Sequence, residues 1–330
     1  RASTWAVLPA STSDWLEALY VVLAGLGNRY GLSRVAEISF CGQMHGLVVL
    51  DKADQVIRPA LLWNDNRTVT QTDALNREPG REELVRRTGN IAITGFTAPK
   101  LLWLRENEPE HFARICKIML PKDYLVYCLT GVHATDYSDA SGMLLLDVEH
   151  KCWSRDMLAL CGISESQMPR LYESFAPVGT LLPETAAALG LPQGVTVCAG
   201  AGDNAAAAVG TGTVSTGAAH ADSRCNISLG TSGTIFISSE KFGVDATNGL
   251  HAFAHADGGW HLMGCMLSAA SCNKWWQDAI IGTNDYKGEE AKIAPEMLGR
   301  NHVYFLPYLM GERSPINDTN ARAMFVGMTM

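Results

Sequence analysis

The chain has 330 residues, 47% of them hydrophobic and only 18% charged, with a formal net charge of −8. That length fits two domains better than one or three, and so much apolar material excludes a disordered chain. The acidic balance and the lack of any Lys/Arg-rich stripe exclude a duplex nucleic-acid partner, which needs several phosphate-neutralising cations.

Asp14 to Arg29 has helical periodicity, with Trp15, Leu16, Leu19, Tyr20, Leu23 and Leu26 on one face and Asp14 with Glu17 as a capping box. Val35 to Cys41 reads as a strand. It meets the loop Gly42-Gln43-Met44-His45-Gly46, and Leu47 to Asp51 reads as a second strand. Asp51 to Gln55 is expected to turn as a hairpin, with Val56-Ile57 resuming the sheet. The pattern predicts a helix over Pro99 to Asn107 with Pro99 in its first turn, and another over Pro121 to Leu129 closed by Gly131. A strand is expected over Gly142 to Val148 and a short helix over Pro183 to Leu189. Val195 to Cys198 reads as a buried strand leading through Gly200-Ala201-Gly202-Asp203-Asn204 into the alanine-rich helix Ala205 to Val209. Asn226 to Ser238 reads as two strands around Gly230-Thr231-Ser232-Gly233. The mixture gives an α/β class. The small-residue stretch Gly210 to Ala221 puts a domain boundary near residue 220, dividing the chain into 1–220 and 221–330.

The longest apolar stretch, Ala18 to Gly27, is about half of the ~20 residues that span a bilayer, so no membrane partner is expected. Nine cysteines are scattered without a CxxC pair, several in apolar runs, as expected of free thiols in a reducing cytoplasm. The sequence opens at Arg1 without a Met and stops at Met330 after a strand-like run, which reads as a fragment.

The strand–glycine–Asp–helix unit at 195–209 carries the strongest chemical signal. Asp203 would sit at a helix N-terminus, where free N–H groups and the dipole favour an ionised carboxylate. Such a group accepts a proton from a substrate hydroxyl, holds Mg²⁺, or simply caps the helix. The same residues read Gly200-x-Gly202-x-x-Ala205, imitating a dinucleotide fingerprint. No apolar strand precedes the acidic residue this would need, Asp222, and Asp203 would repel a pyrophosphate. Gly230-Thr231-Ser232-Gly233 between two strands is either a plain hairpin turn or a turn whose N–H groups and hydroxyls meet a phosphate. Gln43, Met44 and His45 offer an amide and an imidazole at a strand end, groups that donate and accept toward hydroxyl-rich ligands, and Asn64, Asp65 and Arg67 are candidates to extend that patch. His251, His255 and His261 lack an acidic or Cys companion in the pattern, so no metal site is assigned. Ser271-x-x-Lys274 has serine-acylase spacing without its companion motifs.

Read together, the segments resemble the FGGY carbohydrate kinases along the whole chain. The resemblance rests on Gly42 to Gly46 with Arg58 to Asp65, on Gly95-Phe96-Thr97-Ala98-Pro99-Lys100-Leu101-Leu102-Trp103, and on Leu120 to Leu125. It rests equally on Gly202-Asp203-Asn204-Ala205, Ser228 to Gly233, Trp260 to Met263, and Leu306 to Leu309 with Gly311-Glu312-Arg313. It implies two actin-like (ribonuclease H-like) domains with an interdomain cleft, the second incomplete in this chain. It implies ATP and Mg²⁺ as cofactors and a sugar as substrate, the Gln-Met-His loop pointing to the 5-hydroxyl of D-xylulose. Kinases of ribulose, glycerol or gluconate, or a non-catalytic actin-like sugar-binding module, are the alternatives. By the same resemblance Asp203 is the catalytic base, while Met44, His45, Gln43 and Asn204 contact the sugar. Gly230, Thr231 and Ser232 form the second phosphate loop. The family's first phosphate loop, a Gly-x-Asp-x-Gly-Thr, has no counterpart here, Ile316 and Ala323 replace an expected His and Gly, and the second signature begins only at Ala323. The isolated 330 residues are therefore expected to phosphorylate little. Apolar surface at the two ends is expected to favour a homodimer.

Overall fold

A computed structural model describes residues 11–215, 224–245, 247, 249–300, 302–318 and 320–329. The expected boundary near residue 220 and Asp222 lie outside the described residues. By internal contacts the chain forms two compact units. One runs to Arg224 and also holds Ser238–Val244 and Ala252–His261; the other holds Cys225–Ile237, Asp245–His251 and residues from Leu262 onward.

The first unit opens with α1 (Thr12–Tyr30). Its apolar stripe sets its packing: Leu19, Tyr20 and Leu23 rest on a core of Val126, Leu129, Val178, Leu181, Leu189 and Val197. Trp15 rests on a second core of Val48, Leu50, Ala60 and Met119. Two expectations fail here. The helix begins at Thr12, so Asp14 lies within the first turn and no side chain caps it. Leu26 is 44% exposed, because the helix outruns the apolar surface beneath it.

The chain continues through β1 (Glu37–Ile38), β2 (Cys41–Gly42) and β3 (Val48–Leu50). Next come α2 (Thr97–Asn107), β4 (Lys117–Met119) and α3 (Pro121–Thr130), the last closed by left-handed Gly131. Then follow β5 (Ala134–Asp136), α4 (Tyr137–Ala140), β6 (Arg170–Tyr172), β7 (Pro177–Thr180) and α5 (Pro183–Leu189). The series ends with β8 (Thr196–Cys198), β9 (Ala201–Gly202) and α6 (Asp203–Gly210). The strand expected over Gly142–Val148 does not form. Ser141–Met143 is a 3₁₀ turn, Leu144 is left-handed with φ 59°, and only Leu146–Asp147 pairs, with Cys152–Trp153. Met143 to Leu146 is fully buried, and a short apolar run inside a core has no period that separates strand from turn.

Two pairings matter for function. β1 lies parallel to β8 in the register Glu37↔Thr196 and Ile38↔Val197. β2 lies parallel to β9 in the register Cys41↔Ala201 and Gly42↔Gly202. The strand expected over Val35–Cys41 is thus bent into two short pieces, β9 forms inside the expected glycine loop, and β8 and β9 meet at Gly200. Its φ is 79°, and a side chain there would strike the Phe40 carbonyl oxygen at 2.1 Å, so glycine is required.

In the second unit β10 (Cys225–Leu229) and β11 (Gly233–Ser239) form the expected hairpin, from Cys225↔Ile237 to Leu229↔Gly233. β12 (His251–Ala254) and β13 (Trp260–Met266) complete a sheet of order β10-β11-β13-β12, and β11, β12 and β13 each run through both units. α7 (Ala270–Trp275) follows, and β14 (Tyr304–Leu306) pairs with β15 (Met324–Val326), stacking Phe305 on Phe325 at 4.5 Å. No described helix is long and apolar enough to cross a membrane. All nine cysteines are unbridged.

Candidate active site

Because β2 and β9 are parallel neighbours, the loops leaving their carboxyl ends emerge at the same edge, the usual place for a ligand in an α/β fold. One loop carries Gln43, Met44 and His45; the other passes directly into α6 at Asp203. Contact joins them. A Cβ on Gly202 would lie 2.9 Å from Met44 Cγ and 3.1 Å from its Sδ, so Met44 packs on the backbone just before Asp203. Met44 is buried, while Gln43 and His45 are half-buried.

His45 is held on every side. Its φ of 71° is left-handed, a conformation uncommon for a side-chain-bearing residue. Its carbonyl oxygen accepts from Lys100 Nζ at 2.8 Å and from Thr97 Oγ1 at 3.1 Å. Nδ1 lies 2.8 Å from the Gly142 carbonyl oxygen. A carbonyl only accepts, so Nδ1 carries the ring proton that makes this bond. Phe96 flanks the ring at 4.8 Å between centroids. Lys100 also donates to Gly95 O at 2.6 Å. Burial pushes this ammonium down to about 7, with Asp65 opposing.

At Asp203, Oδ1 accepts from the Asn204 backbone N–H at 2.8 Å and from Asn204 Nδ2 at 3.0 Å. The carboxylate reaches solvent, yet enough protein surrounds it for desolvation to raise its pKa above the usual carboxylate range. The two Asn204 bonds oppose that shift without cancelling it. A carboxylate that is solvent-accessible, aimed by a neighbour and raised toward neutrality has the properties of a general base.

Behind the loops lies a buried charge cluster. Lys122 Nζ is 2.7 Å from Asp123, 2.8 Å from Asp136 and 3.6 Å from Asp139, all four side chains almost fully enclosed. Burial raises the Asp139 carboxyl strongly; Lys122 opposes, while the charges of Asp123, Asp136 and Asp203 add to the rise.

The remaining candidates fall elsewhere. Asp65 is buried and paired to Arg67, whose guanidinium lies over Trp103 at 4.8 Å, while Asn64 is exposed. Gly230, Thr231 and Ser232 form a turn in the second unit, Gly230 and Thr231 exposed and Ser232 half-buried. Ala270 N–H donates to Gly230 O at 2.8 Å, while Ala269 N–H (2.9 Å) and Ser271 Oγ (2.7 Å) donate to Thr231 O. Ser271 is therefore a brace for that turn. His255 directs Nε2 to the Thr213 carbonyl at 2.9 Å, and its Nδ1 accepts from Ala256 N–H at 2.7 Å. Among the described residues no group of three or more His, Cys, Asp or Glu side chains could hold a metal ion.

Sequence reading missed the supports: Thr97, Lys100, Lys122, Asp136, Ser138 and Gly142. One signal was available for Lys100, a single cation among Ala98, Pro99, Leu101 and Leu102, a place where an unpaired lysine is not tolerated.

Comparison with known proteins bears on the same segments. The N-terminal domain model of the FGGY family of carbohydrate kinases matches residues 7–210, and the C-terminal domain model matches residues 225–330. A xylulose kinase of Escherichia coli K12 is 43% identical over 317 residues, covering 96% of this chain and 63% of its own length. A solved xyloylose (xylulose) kinase from Brucella ovis superposes with a TM-score of 0.89 at 39% identity, covering 97% of this chain and 64% of that one. A gluconate kinase from Lactobacillus acidophilus superposes with a TM-score of 0.87 at 25% identity, with the same coverage. The chain thus spans a little under two thirds of the relatives it matches.

Proposed function

Since the chain belongs to the FGGY family of carbohydrate kinases, with the actin-like (ribonuclease H-like) fold of that family, we propose that it serves an ATP-dependent sugar kinase acting on the 5-hydroxyl of D-xylulose. The observation that carries the reading is the raised, Asn204-aimed carboxylate of Asp203 beside the Met44–His45 loop. The xylulose kinases among the relatives support the choice of sugar.

In this reading the sugar oxygen O5 attacks the γ-phosphorus of ATP and the bond from that phosphorus to the β,γ-bridging oxygen breaks, releasing ADP. The proton of the 5-hydroxyl passes to Asp203 and then to solvent. Such transfers depend on positioning and charge neutralisation more than on covalent chemistry. His45, its ring oriented by the Nδ1 bond to Gly142 O, and Gln43, Met44 and Asn204 make the sugar contacts. The turn Gly230-Thr231-Ser232 meets a phosphate. Mg²⁺ is usual for this chemistry; the described residues offer no cage for it, consistent with an ion held chiefly by phosphate oxygens and water, and no step here is assigned to it. The two domains are taken as 1–220 and 221–330, and the enzyme as cytoplasmic.

The test is Asp203→Ala in the full-length gene product. A general base supplies about 10²–10⁴-fold, so turnover falls by that factor, about 3–5 kcal/mol of barrier. D-xylulose binding measured by calorimetry persists. Turnover at the wild-type rate refutes the base. A second reading, a gluconate kinase, is favoured by the Lactobacillus neighbour alone; a panel of xylulose, ribulose, glycerol and gluconate separates the two.

A further inference from the structure

The backbone immediately ahead of Asp203 is held from inside the protein. Ser138 Oγ accepts the Gly202 N–H at 3.1 Å, and Gly202 is the residue that precedes α6. The hydroxyl proton of Ser138 goes to Asp136 Oδ2. That oxygen also accepts from Ser138 N–H at 2.9 Å and from Ser174 Oγ at 2.7 Å. The other carboxylate oxygen of Asp136 faces Lys122 Nζ at 2.8 Å. Lys122 in turn reaches the Ala199 carbonyl oxygen at 3.3 Å, three residues before Gly202. Asp136 and Ser138 are fully buried.

The direction of each bond is dictated by chemistry. Asp136 is engaged as an acceptor, so the single Ser138 proton must point to it, and only the serine lone pairs remain for Gly202 N–H. The chain Lys122–Asp136–Ser138–Gly202 therefore has one consistent orientation, each member polarising the next. From the other side Met44 presses on the Gly202 α-carbon, leaving a Cβ only 2.9 Å of room. Gly202 is fixed between the two, and the carboxylate of the next residue inherits that placement.

We propose that Ser138, oriented by Asp136, is a positioning residue for the Asp203 carboxylate, acting through the Gly202 N–H. The inference rests on Asp203 being the base, and it has a readout independent of that. Ser138→Ala leaves the Gly202 N–H without its acceptor and loosens the start of α6. Misplacing a catalytic group by about 1 Å costs on the order of 10²-fold, so kcat falls about 10–100-fold while KM for D-xylulose stays within about threefold.

The experiment pairs kinetics with hydrogen–deuterium exchange on the full-length gene product. In Ser138→Ala the peptide covering 199–206 exchanges at least about tenfold faster, with wild-type protection in α3 and α5. Placed in the Asp203→Ala background, Ser138→Ala causes no further loss of kcat, because its effect passes through the missing carboxylate. Ser174→Ala deletes another hydrogen bond to Asp136 without touching Gly202 and is expected to keep kcat within about threefold. Should Ser138→Ala not fold, Ser138→Cys, a weaker acceptor, replaces it with an intermediate loss. Unchanged exchange at 199–206 overturns the anchor. Unchanged kcat, equal losses in Ser138→Ala and Ser174→Ala, or a full additional loss in the Asp203→Ala background overturns the positioning role. Wild-type turnover in Asp203→Ala overturns the base assignment and the kinetic half of the inference, while exchange still decides the anchor.

Discussion

Replacing Lys122 with methionine removes the cation that faces three buried carboxylates. Methionine fills a similar volume, so the effect isolates charge from packing. Nζ sits 2.7, 2.8 and 3.6 Å from Asp123, Asp136 and Asp139 and 3.3 Å from the Ala199 carbonyl. With the cation gone, all three carboxylates stay enclosed without their counter-charge, and only hydrogen bonds such as those from Ser138 and Ser174 to Asp136 and from Leu120 N–H to Asp123 remain. Removing one partner of a buried ion pair costs about 3–5 kcal/mol. At roughly 2–4 °C per kcal/mol for a unit of this size, the melting midpoint falls by roughly 6–20 °C. The loss also depends on pH. In the wild type burial already raises the carboxyls of Asp123 and Asp139, and losing Lys122 pushes them higher. A carboxyl raised in the folded state supports the fold in acid and weakens it as pH climbs through the folded value. The deficit of Lys122→Met is therefore largest near pH 8 and shrinks toward pH 5. Urea denaturation at both pH values measures it. A deficit below about 1 kcal/mol, or one equal at the two pH values, refutes the reasoning.

Gly142→Ala sets a methyl 2.4 Å from His45 Nδ1, forcing the imidazole out of place. Losing one or two hydrogen bonds worth about 1 kcal/mol each raises KM for the sugar roughly 5–30-fold, and an unchanged KM counts against His45 as a sugar ligand. Lys100 is held down to about 7 by burial, so it strengthens the fold as pH rises from about 7 toward the ordinary lysine value of about 10. Lys100→Met flattens that rise, whereas parallel stability curves for the two proteins contradict it. In log kcat/KM against pH, the acid limb lies above the usual carboxylate range because Asp203 is raised. Asn204→Ala deletes a bond that favours the charged form, so the limb moves further up; a limb that stays or moves down rejects Asp203 as its origin.

How much of this was readable beforehand depends on what kind of residue carried it. Helices with a punctuated start or end were legible. Pro121 and Gly131 bracket α3 and Pro183 opens α5, because proline costs nothing at a first turn and glycine takes the left-handed position after a last one. The hairpin around Gly230 was legible for the same reason. The run from Gly142 to Val148 was not. Its apolar residues satisfy a core from a 3₁₀ turn as well as from a strand, and what decides between them is the contact of Gly142 with His45, 97 residues away in sequence.

The site divides along the same line. Asp203 announced itself because a carboxylate between a glycine-rich strand end and a helix is a local arrangement. What holds the backbone ahead of it is not local: the Gly202 N–H needs an acceptor, and the chain supplies it from Ser138, 64 residues upstream. His45 likewise depends on Lys100 and Thr97, 55 and 52 residues downstream, which occupy its carbonyl and hold its left-handed backbone. An ammonium inside an apolar helix start can be recognised as an anomaly from sequence. Its partner cannot, because a main-chain carbonyl is present at every position and carries no mark in the sequence. Residues that act through side chains are therefore visible before the fold is known, and residues that act by holding another residue's backbone become visible only afterwards.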